Sequence, residues 1–199
     1  MKWLTALGIT AFGTAAYAAS SSGAAGVVDG LQPWRLTALR SGSPRHTPNT
    51  TLQASLFFTI EDTNRIRAGP GVRGTAMFLE STANCTAKWL MDEGPYHRSH
   101  NCTDIEAEDW NNWTFEVVET NTNSGSWPLT NFDLIITRTC NVTRGDNVYM
   151  KSYEGRAHFE VGATLGGLCS AGGICGFQLK NQSSPVLIEQ SRTACLGEC

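Results

Sequence analysis

The histidines of the chain offer its clearest arrangement for metal chemistry. His97 and His100 lie three residues apart with Asp104 close behind, so two imidazoles could converge on one ion if the backbone turned between them. The flanking Gly94-Pro95 and the acceptor sequence at Asn101 indicate instead an exposed loop, where histidines are hydrated and a glycan would crowd an ion. We therefore predict no metal site and no cofactor.

Carboxylates and glycines give the other candidates for catalysis. Glycoside hydrolysis needs two carboxylates across a cleft, and the possible sources are Glu61, Asp62, Glu106, Glu108 and Asp109. Carboxylates that are adjacent in the sequence usually lie on a solvated surface. The chain has no Gly-x-Ser-x-Gly elbow. The glycine-rich segment 166–176 lacks the ending of a phosphate loop, and its two cysteines indicate a β-turn closed by a disulfide. We assign no catalytic residue and favour a protein that is not an enzyme.

The first eighteen residues have the form of a secretory signal peptide. Met1, Lys2 and Trp3 form a positive head, residues 4–16 are an apolar run too short to span a bilayer, and Ala16-Tyr17-Ala18 has the small-x-small form of a cleavage site. No later stretch is long and apolar enough to cross a membrane. We expect a secreted, extracellular protein with no membrane partner.

The composition of the remaining chain is that of one domain. Residues 19–31 are rich in Ala, Ser and Gly and predict a flexible leader, and residues 32–199 are long enough to bury one core. The formal net charge is −3, and no run of Lys or Arg could neutralise a row of phosphates. We therefore expect no nucleic-acid partner.

Six N-glycosylation sequons support export. The acceptor residues are Asn49, Asn84, Asn101, Asn112, Asn141 and Asn181. Glycans are bulky and hydrated, so each occupied asparagine marks a surface position that the core and any partner must avoid. We predict a glycoprotein.

The chain has seven cysteines, an odd number for an oxidising compartment, so one must stay free or bond to another molecule. The spacing favours a bond between Cys85 and Cys102 and another between Cys169 and Cys175, because each pair encloses a short stretch that a hairpin or tight loop can close.

For the other three cysteines we expect Cys140 to bond to Cys195 or Cys199, which leaves the odd thiol near the C-terminus. Cys199 is the last residue and the easiest to reach. A disulfide-linked dimer through the odd cysteine is therefore a further expectation.

Apolar residues alternate with period two along most of the chain, which is typical of half-buried strands. The clearest segments lie at residues 34–38, 52–60, 113–117, 132–136, 148–150, 157–161, 177–179 and 186–188. In each segment the first residue and every second residue after it, including Ala38 and Val148, are expected to face the core. They predict a single antiparallel β-sandwich or barrel. Trp113 alternates with Phe115 and is expected in the core, whereas Trp110 and Trp127 lie in polar loops and are candidate interface residues.

The order of these features along the chain resembles the order found in a known protein family. The matching residues are the strand beginning at Trp34, the strand end at residues 57–62, the segment from Asn84 to Trp89 followed by Cys102, Trp113-Thr114-Phe115, and the segment 159–162 that leads to Cys169 and Cys175. In this layout the chain resembles small secreted ascomycete proteins and, more loosely, the major Alternaria allergen family.

The resemblance implies a compact β-barrel or sandwich with two intrachain disulfides, to which the Cys85/Cys102 and Cys169/Cys175 loops correspond. It also implies an interaction role as a fungal allergen or effector-like protein. The first cysteine here is Cys85, so the family's dimerisation through an N-terminal cysteine does not carry over.

We therefore expect a secreted, non-catalytic glycoprotein that acts by binding an extracellular protein or a cell-wall glycan. The alternative is a secreted carbohydrate-binding or carbohydrate-active protein.

Overall fold

The computed structural model describes residues 30–45, 53–71, 74–91, 93–105, 111–120 and 128–199. These residues form thirteen β-strands, one turn of 3₁₀ helix at Asn181–Ser183, and no α-helix. The strands are β1 Trp34–Ser43, β2 Gln53–Asp62, β3 Ile66–Gly71, β4 Gly74–Phe78, β5 Ser81–Leu90, β6 Ser99–Asp104, β7 Asn111–Val118, β8 Asn131–Arg144, β9 Asn147–Glu160, β10 Leu165–Cys169, β11 Cys175–Leu179, β12 Val186–Ile188 and β13 Gln190–Leu196. The predicted all-β class is confirmed.

One antiparallel sheet contains eleven of these strands and curls into a half-barrel. Its order is β10-β11-β1-β2-β5-β6-β7-β8-β9-β13, with β12 also paired to β1, and β3 and β4 form a separate two-stranded ribbon. The longest ladder joins β8 to β9, from Asn131 opposite Glu160 to Arg144 opposite Asn147. The turn between them begins at Gly145, whose φ of 62° favours glycine.

The inner face of the half-barrel is an aromatic and aliphatic core. Trp34 and Trp113 meet edge to face with ring centroids 4.9 Å apart, and Phe58 and Phe115 meet in the same way at 4.8 Å. Such pairs contribute about 0.5–1.5 kcal/mol each beyond the burial of their area. Trp113 is 1% exposed, so its predicted place in the core is confirmed.

Two strands depart from the simple alternation in the sequence. A β-bulge between Leu36 and Ala38 turns Leu39 into the core, where Ala38 had been expected. In β9 the inward residue is Tyr149, and Val148 is 51% exposed, so the expectation that Val148 faces the core was wrong. The Tyr149 hydroxyl donates to the carbonyl oxygen of Pro70 and ties the ribbon to the sheet.

The described residues contain three disulfides. Cys85–Cys102 and Cys169–Cys175 are the predicted pairs and are confirmed. Both join residues that lie directly opposite each other on neighbouring strands, which is why the short spacing identified them.

The expected bond from Cys140 to the C-terminus was wrong: Cys195 bonds to Cys199, and Cys140 is a free, buried thiol. Cys140 and Cys195 both lie opposite Lys151, one on each side of β9. Two strand spacings separate them by about 10 Å, which exceeds the reach of a disulfide. Burial raises the pKa of the Cys140 thiol to about 11. The odd cysteine thus lies inside the molecule, and covalent dimerisation stays a prediction.

Candidate binding site

A groove of about 1030 Å³ lies on the sheet where β10, β11 and β1 join. We call it the glycine groove and define it by Arg40, Gly166, Leu168, Gly176, Gln178 and Lys180. These residues alternate with the inward residues of the same strands, so the groove is on the outer face of the half-barrel.

Strand register assembles the groove from three separate segments. One row across the strands runs from Gly166 through Gln178 to Arg40. The next row runs from Leu168 through Gly176 to Gly42. A Cβ atom at Gly176 would have nothing within 4 Å, so the space above this glycine is open. The result is a trough that carries no side chain at Gly176 and is bordered by polar groups on one side and by a leucine at one end.

The sequence of the β10–β11 hairpin fixes this geometry. Gly167 has a φ of 151°, and a Cβ there would come within 2.1 Å of the carbonyl oxygen of Gly176, so the close approach of the two strands requires glycine. The hairpin turn uses a second left-handed glycine at Gly173, and the Cys169–Cys175 bond closes it. The two strands that flank the predicted disulfide-closed β-turn therefore line the groove.

The polar groups of the groove are cations and amides. Arg40 is exposed, and its guanidinium has no hydrogen-bond or ion-pair partner among the described residues. The Lys180 ammonium donates to the carbonyl oxygen of Gly162 at the groove end. Gln178, Asn181 and Gln182 supply side-chain amides, and no carboxylate of the described part of the chain lines the groove. Its surface therefore offers hydrogen-bond donors and positive charge.

Four sequons share the outer face of the neighbouring strands. Asn84 on β5, Asn101 on β6, Asn112 on β7 and Asn141 on β8 each alternate with inward-facing neighbours. Asn181 lies in the exposed 3₁₀ turn and lines the glycine groove. Asn49 lies outside the described residues, as do the candidate interface residues Trp110 and Trp127 and the signal segment.

The histidine cluster considered for a metal is not assembled. His97 is exposed, whereas His100 stacks on Phe115 with ring centroids 5.1 Å apart. Asp104 accepts a hydrogen bond from the Ser81 hydroxyl. In the ranges that the structure describes, no group of three or more His, Cys, Asp or Glu side chains could hold a metal ion.

The carboxylates considered for hydrolysis are also separated where they are described. Glu61 and Asp62 are consecutive on β2 and point to opposite faces, and Glu61 is paired with Arg35 at 3.9 Å. Glu106, Glu108 and Asp109 lie outside the described residues.

Asp62 instead belongs to a buried ion pair that sequence reasoning missed. Its Oδ2 accepts hydrogen bonds from Arg138 Nη1 at 2.5 Å and from Trp34 Nε1 at 2.9 Å. Arg138 Nη2 also donates to the carbonyl oxygen of Leu79 and to Asn111 Oδ1, and the guanidinium lies 5.4 Å from the centroid of Trp113. The sequence did contain a signal for this burial. Arg138 follows the inward Leu134 and Ile136 at the same two-residue spacing, which places it on the inner face of β8.

A second polar cluster lies on the outer face of β8 and β9. Asp133 accepts two hydrogen bonds from Arg156 and lies 2.6 Å from His158 Nδ1. His158 Nε2 is 3.9 Å from Glu160. The carboxylate orients the imidazole, but the described contacts bring no nucleophile to it.

Comparisons with known proteins do not extend this description. No protein-family model, curated protein or solved structure matches the chain. Among the residues that the structure describes, no helix is long and apolar enough to cross a membrane.

Proposed function

We propose that the protein is a secreted, non-catalytic glycoprotein that binds an extracellular ligand in the glycine groove, in the manner of a fungal effector or allergen-like protein. The observation that carries the proposal is the groove itself. It is a preformed concavity on a disulfide-closed hairpin, it is lined by donors without a carboxylate, and it contains an arginine whose charge has no partner within the described structure. Such a site is suited to holding a ligand.

The distribution of sequons supports the same assignment. Asn84, Asn101, Asn112 and Asn141 lie on β5 to β8, and β2 separates these strands from β1 and the groove. Glycans there would cover one part of the outer face and leave the strands of the groove accessible. The remaining sequon at Asn181 would place a glycan at the edge of the groove, where it could regulate access.

Export is supported by the signal-like N-terminus together with the disulfides. Cys85–Cys102 and Cys169–Cys175 tie neighbouring strands of the same sheet, and such bonds persist in oxidising compartments. They make a sheet of ordinary hydrophobic content resistant to local opening.

A second candidate is a carbohydrate-binding module. The amides of Gln178 and Gln182 around the groove favour it, since side-chain amides can both donate and accept hydrogen bonds with sugar hydroxyls.

Filling the groove tests the proposal. The backbone at Gly176 is not in the left-handed region and its Cβ position is open, so Gly176→Leu should fold while placing a side chain in the groove. We would immobilise the secreted, glycosylated wild type and G176L on separate columns and pass a panel of polysaccharides and extracellular proteins over both. We expect at least one ligand to be retained by the wild type and lost by G176L.

The matched control is Glu116→Leu, which adds a leucine to the exposed face of β7, away from the groove. It should retain the ligand. Equal melting temperatures would show that G176L is folded. A ligand that G176L and the wild type retain equally would place binding elsewhere and contradict the proposal.

A further inference from the structure

We propose that the ligand of the glycine groove is an acidic oligosaccharide, with a uronate carboxylate paired to Arg40. This inference rests on the proposed function and names the ligand class of the same site. It follows from the charge of the groove, from the shape of its base and from its size.

The charge of the groove is the first argument. On the same strand β1, Arg35 has Glu61 as a partner at 3.9 Å, but Arg40 has no acceptor among the described residues. Lys180 adds a second positive charge, and its bond to the Gly162 carbonyl uses one of its three donors. The chain as a whole is acidic, with a net charge of −3, so this groove is a local cationic site on an acidic protein. It is complementary to an anion, and a guanidinium binds a carboxylate with two parallel hydrogen bonds.

The base of the groove is the second argument. Gly176 leaves the backbone open on the outer face, so a flat ring can lie directly on the strand there, beside the Lys180 side chain, which lies 3.4 Å from the Cβ position of Gly166. Leu168 is 78% exposed at one end and offers an apolar contact. A pyranose ring has both an apolar face and hydroxyls at its edge, and Gln178 and Gln182 are placed to bind hydroxyls.

The size of the groove is the third argument. A volume of about 1030 Å³ is at the upper end of the range for small-molecule pockets, which is about 300–1000 Å³, so several linked sugar rings fit better than a single one. The groove is also open at the surface, as a chain that extends beyond its ends requires. An acidic peptide is the competing class of ligand, and the glycine base with amides at its border favours the sugar.

Calorimetric titration with defined probes tests the inference. The probes are an oligogalacturonate, a neutral glucan oligomer of equal length and a peptide rich in Asp and Glu. The proteins are the glycosylated wild type, Arg40→Gln, Arg35→Gln and Gly176→Leu. Each is also prepared with Ser183→Ala, which removes the sequon at Asn181 and keeps its amide.

We expect the oligogalacturonate to bind more tightly than the neutral oligomer and the peptide, and added salt to weaken its binding. R40Q should raise its Kd by about tenfold or more, because a charge-assisted hydrogen-bonded pair is lost. R35Q removes an exposed charge from the same strand and should change the Kd less than about threefold.

The outcomes separate this inference from the proposed function. If the neutral oligomer or the peptide binds best, unaffected by R40Q but lost in G176L, the acidic-sugar inference is wrong and the groove remains the binding site. If the oligogalacturonate binds G176L as well as the wild type, both proposals are wrong. Failure of the oligogalacturonate to bind with or without the sequon overturns the inference.

Discussion

Replacing Asp62 by asparagine should strongly destabilise the fold while leaving its shape intact. The substitution removes one negative charge and keeps nearly the same volume. In the wild type the Asp62 carboxylate neutralises Arg138, and the two side chains are 1% and 0% exposed. With an amide in its place, the guanidinium would stay buried among Trp34, Trp113 and Asn111 with no opposite charge in contact.

The magnitude follows from the burial of the pair. Removing one partner of a buried ion pair leaves an uncompensated charge and costs about 3–5 kcal/mol. Arg138 would keep its bonds to the Leu79 carbonyl and Asn111, which lowers the expected cost to the bottom of that range. We expect D62N to lower the free energy of unfolding by about 3 kcal/mol, a large part of the 5–15 kcal/mol typical of a domain.

Urea denaturation of purified wild type and variants, followed by tryptophan fluorescence, measures this loss. Trp34 and Trp113 both contact the ion pair, so they report on it directly. The control is the double variant with Arg138→Met, which removes both charges and fills the site with an apolar chain. It should be more stable than D62N, because the unpaired charge is gone.

A free energy of unfolding for D62N within about 1 kcal/mol of the wild type, with an unchanged m value, would show that the charge is not buried in solution. A double variant of D62N with Arg138→Met that is less stable than D62N alone would also contradict the prediction. That result would mean that the arginine stabilises the core through packing and not through its charge.

Three further predictions concern the cysteines and a half-buried imidazole. Because Cys140 is buried and its pKa is raised to about 11, one thiol should react with Ellman's reagent only in denaturant, and rapid native labelling would contradict its placement. Replacing both Cys85 and Cys102 by alanine should lower the free energy of unfolding by about 3 kcal/mol in the chain-entropy model for a separation of 17 residues, and an unchanged urea midpoint would exclude this contribution. Burial and then the charge of Arg98 lower the pKa of His100 below its ordinary value of 6.5. The unfolded chain therefore takes up this proton first, and stability should fall as pH drops through about 6.5. His100→Phe keeps the stack on Phe115 and should reduce that slope in thermal melts at several pH values; an identical slope would show that another group titrates.

The fold class was predictable because apolar and polar residues alternate along each strand, and this alternation indicates which residues are buried. Leu56, Phe58 and Ile60 were expected inside, and each is 0–1% exposed. The two failures have local causes. The bulge after Leu36 shifts the phase of β1, and the β8–β9 hairpin brings Tyr149 inward in place of Val148. A bulge depends on how two strands are aligned, so it leaves no clear mark in either strand alone.

The cysteine pairs show the same limit of prediction from the sequence. Cys85–Cys102 and Cys169–Cys175 were predictable because a short hairpin brings each pair into register. The position of Cys140 depends on the order of β8, β9 and β13 in the sheet. That order inserts a strand between Cys140 and Cys195, and no spacing in the sequence shows it.

The glycine groove was hidden for a related reason. Gly42, Gly166 and Gly176 become neighbours only when β1, β11 and β10 pair in this order. In the sequence, Arg40 is one exposed position of an alternating strand, and a solvated arginine has the same pattern as a binding one. Its lack of a partner in the described part of the chain is a property of the assembled sheet.

The position of the groove also follows from how the other surfaces of the sheet are occupied. Among the described residues, the inner face is occupied by the core and by the Arg138–Asp62 pair. On the outer face, the strands β5 to β8 carry four possible glycan acceptors. The β10–β11 hairpin is different, because its outward positions include Gly166 and Gly176 and it is held by its own disulfide. Rigidity, open backbone and unneutralised charge coincide there, so substitutions at Arg40 and Gly176 should alter binding with little effect on folding, whereas Asp62→Asn should do the reverse.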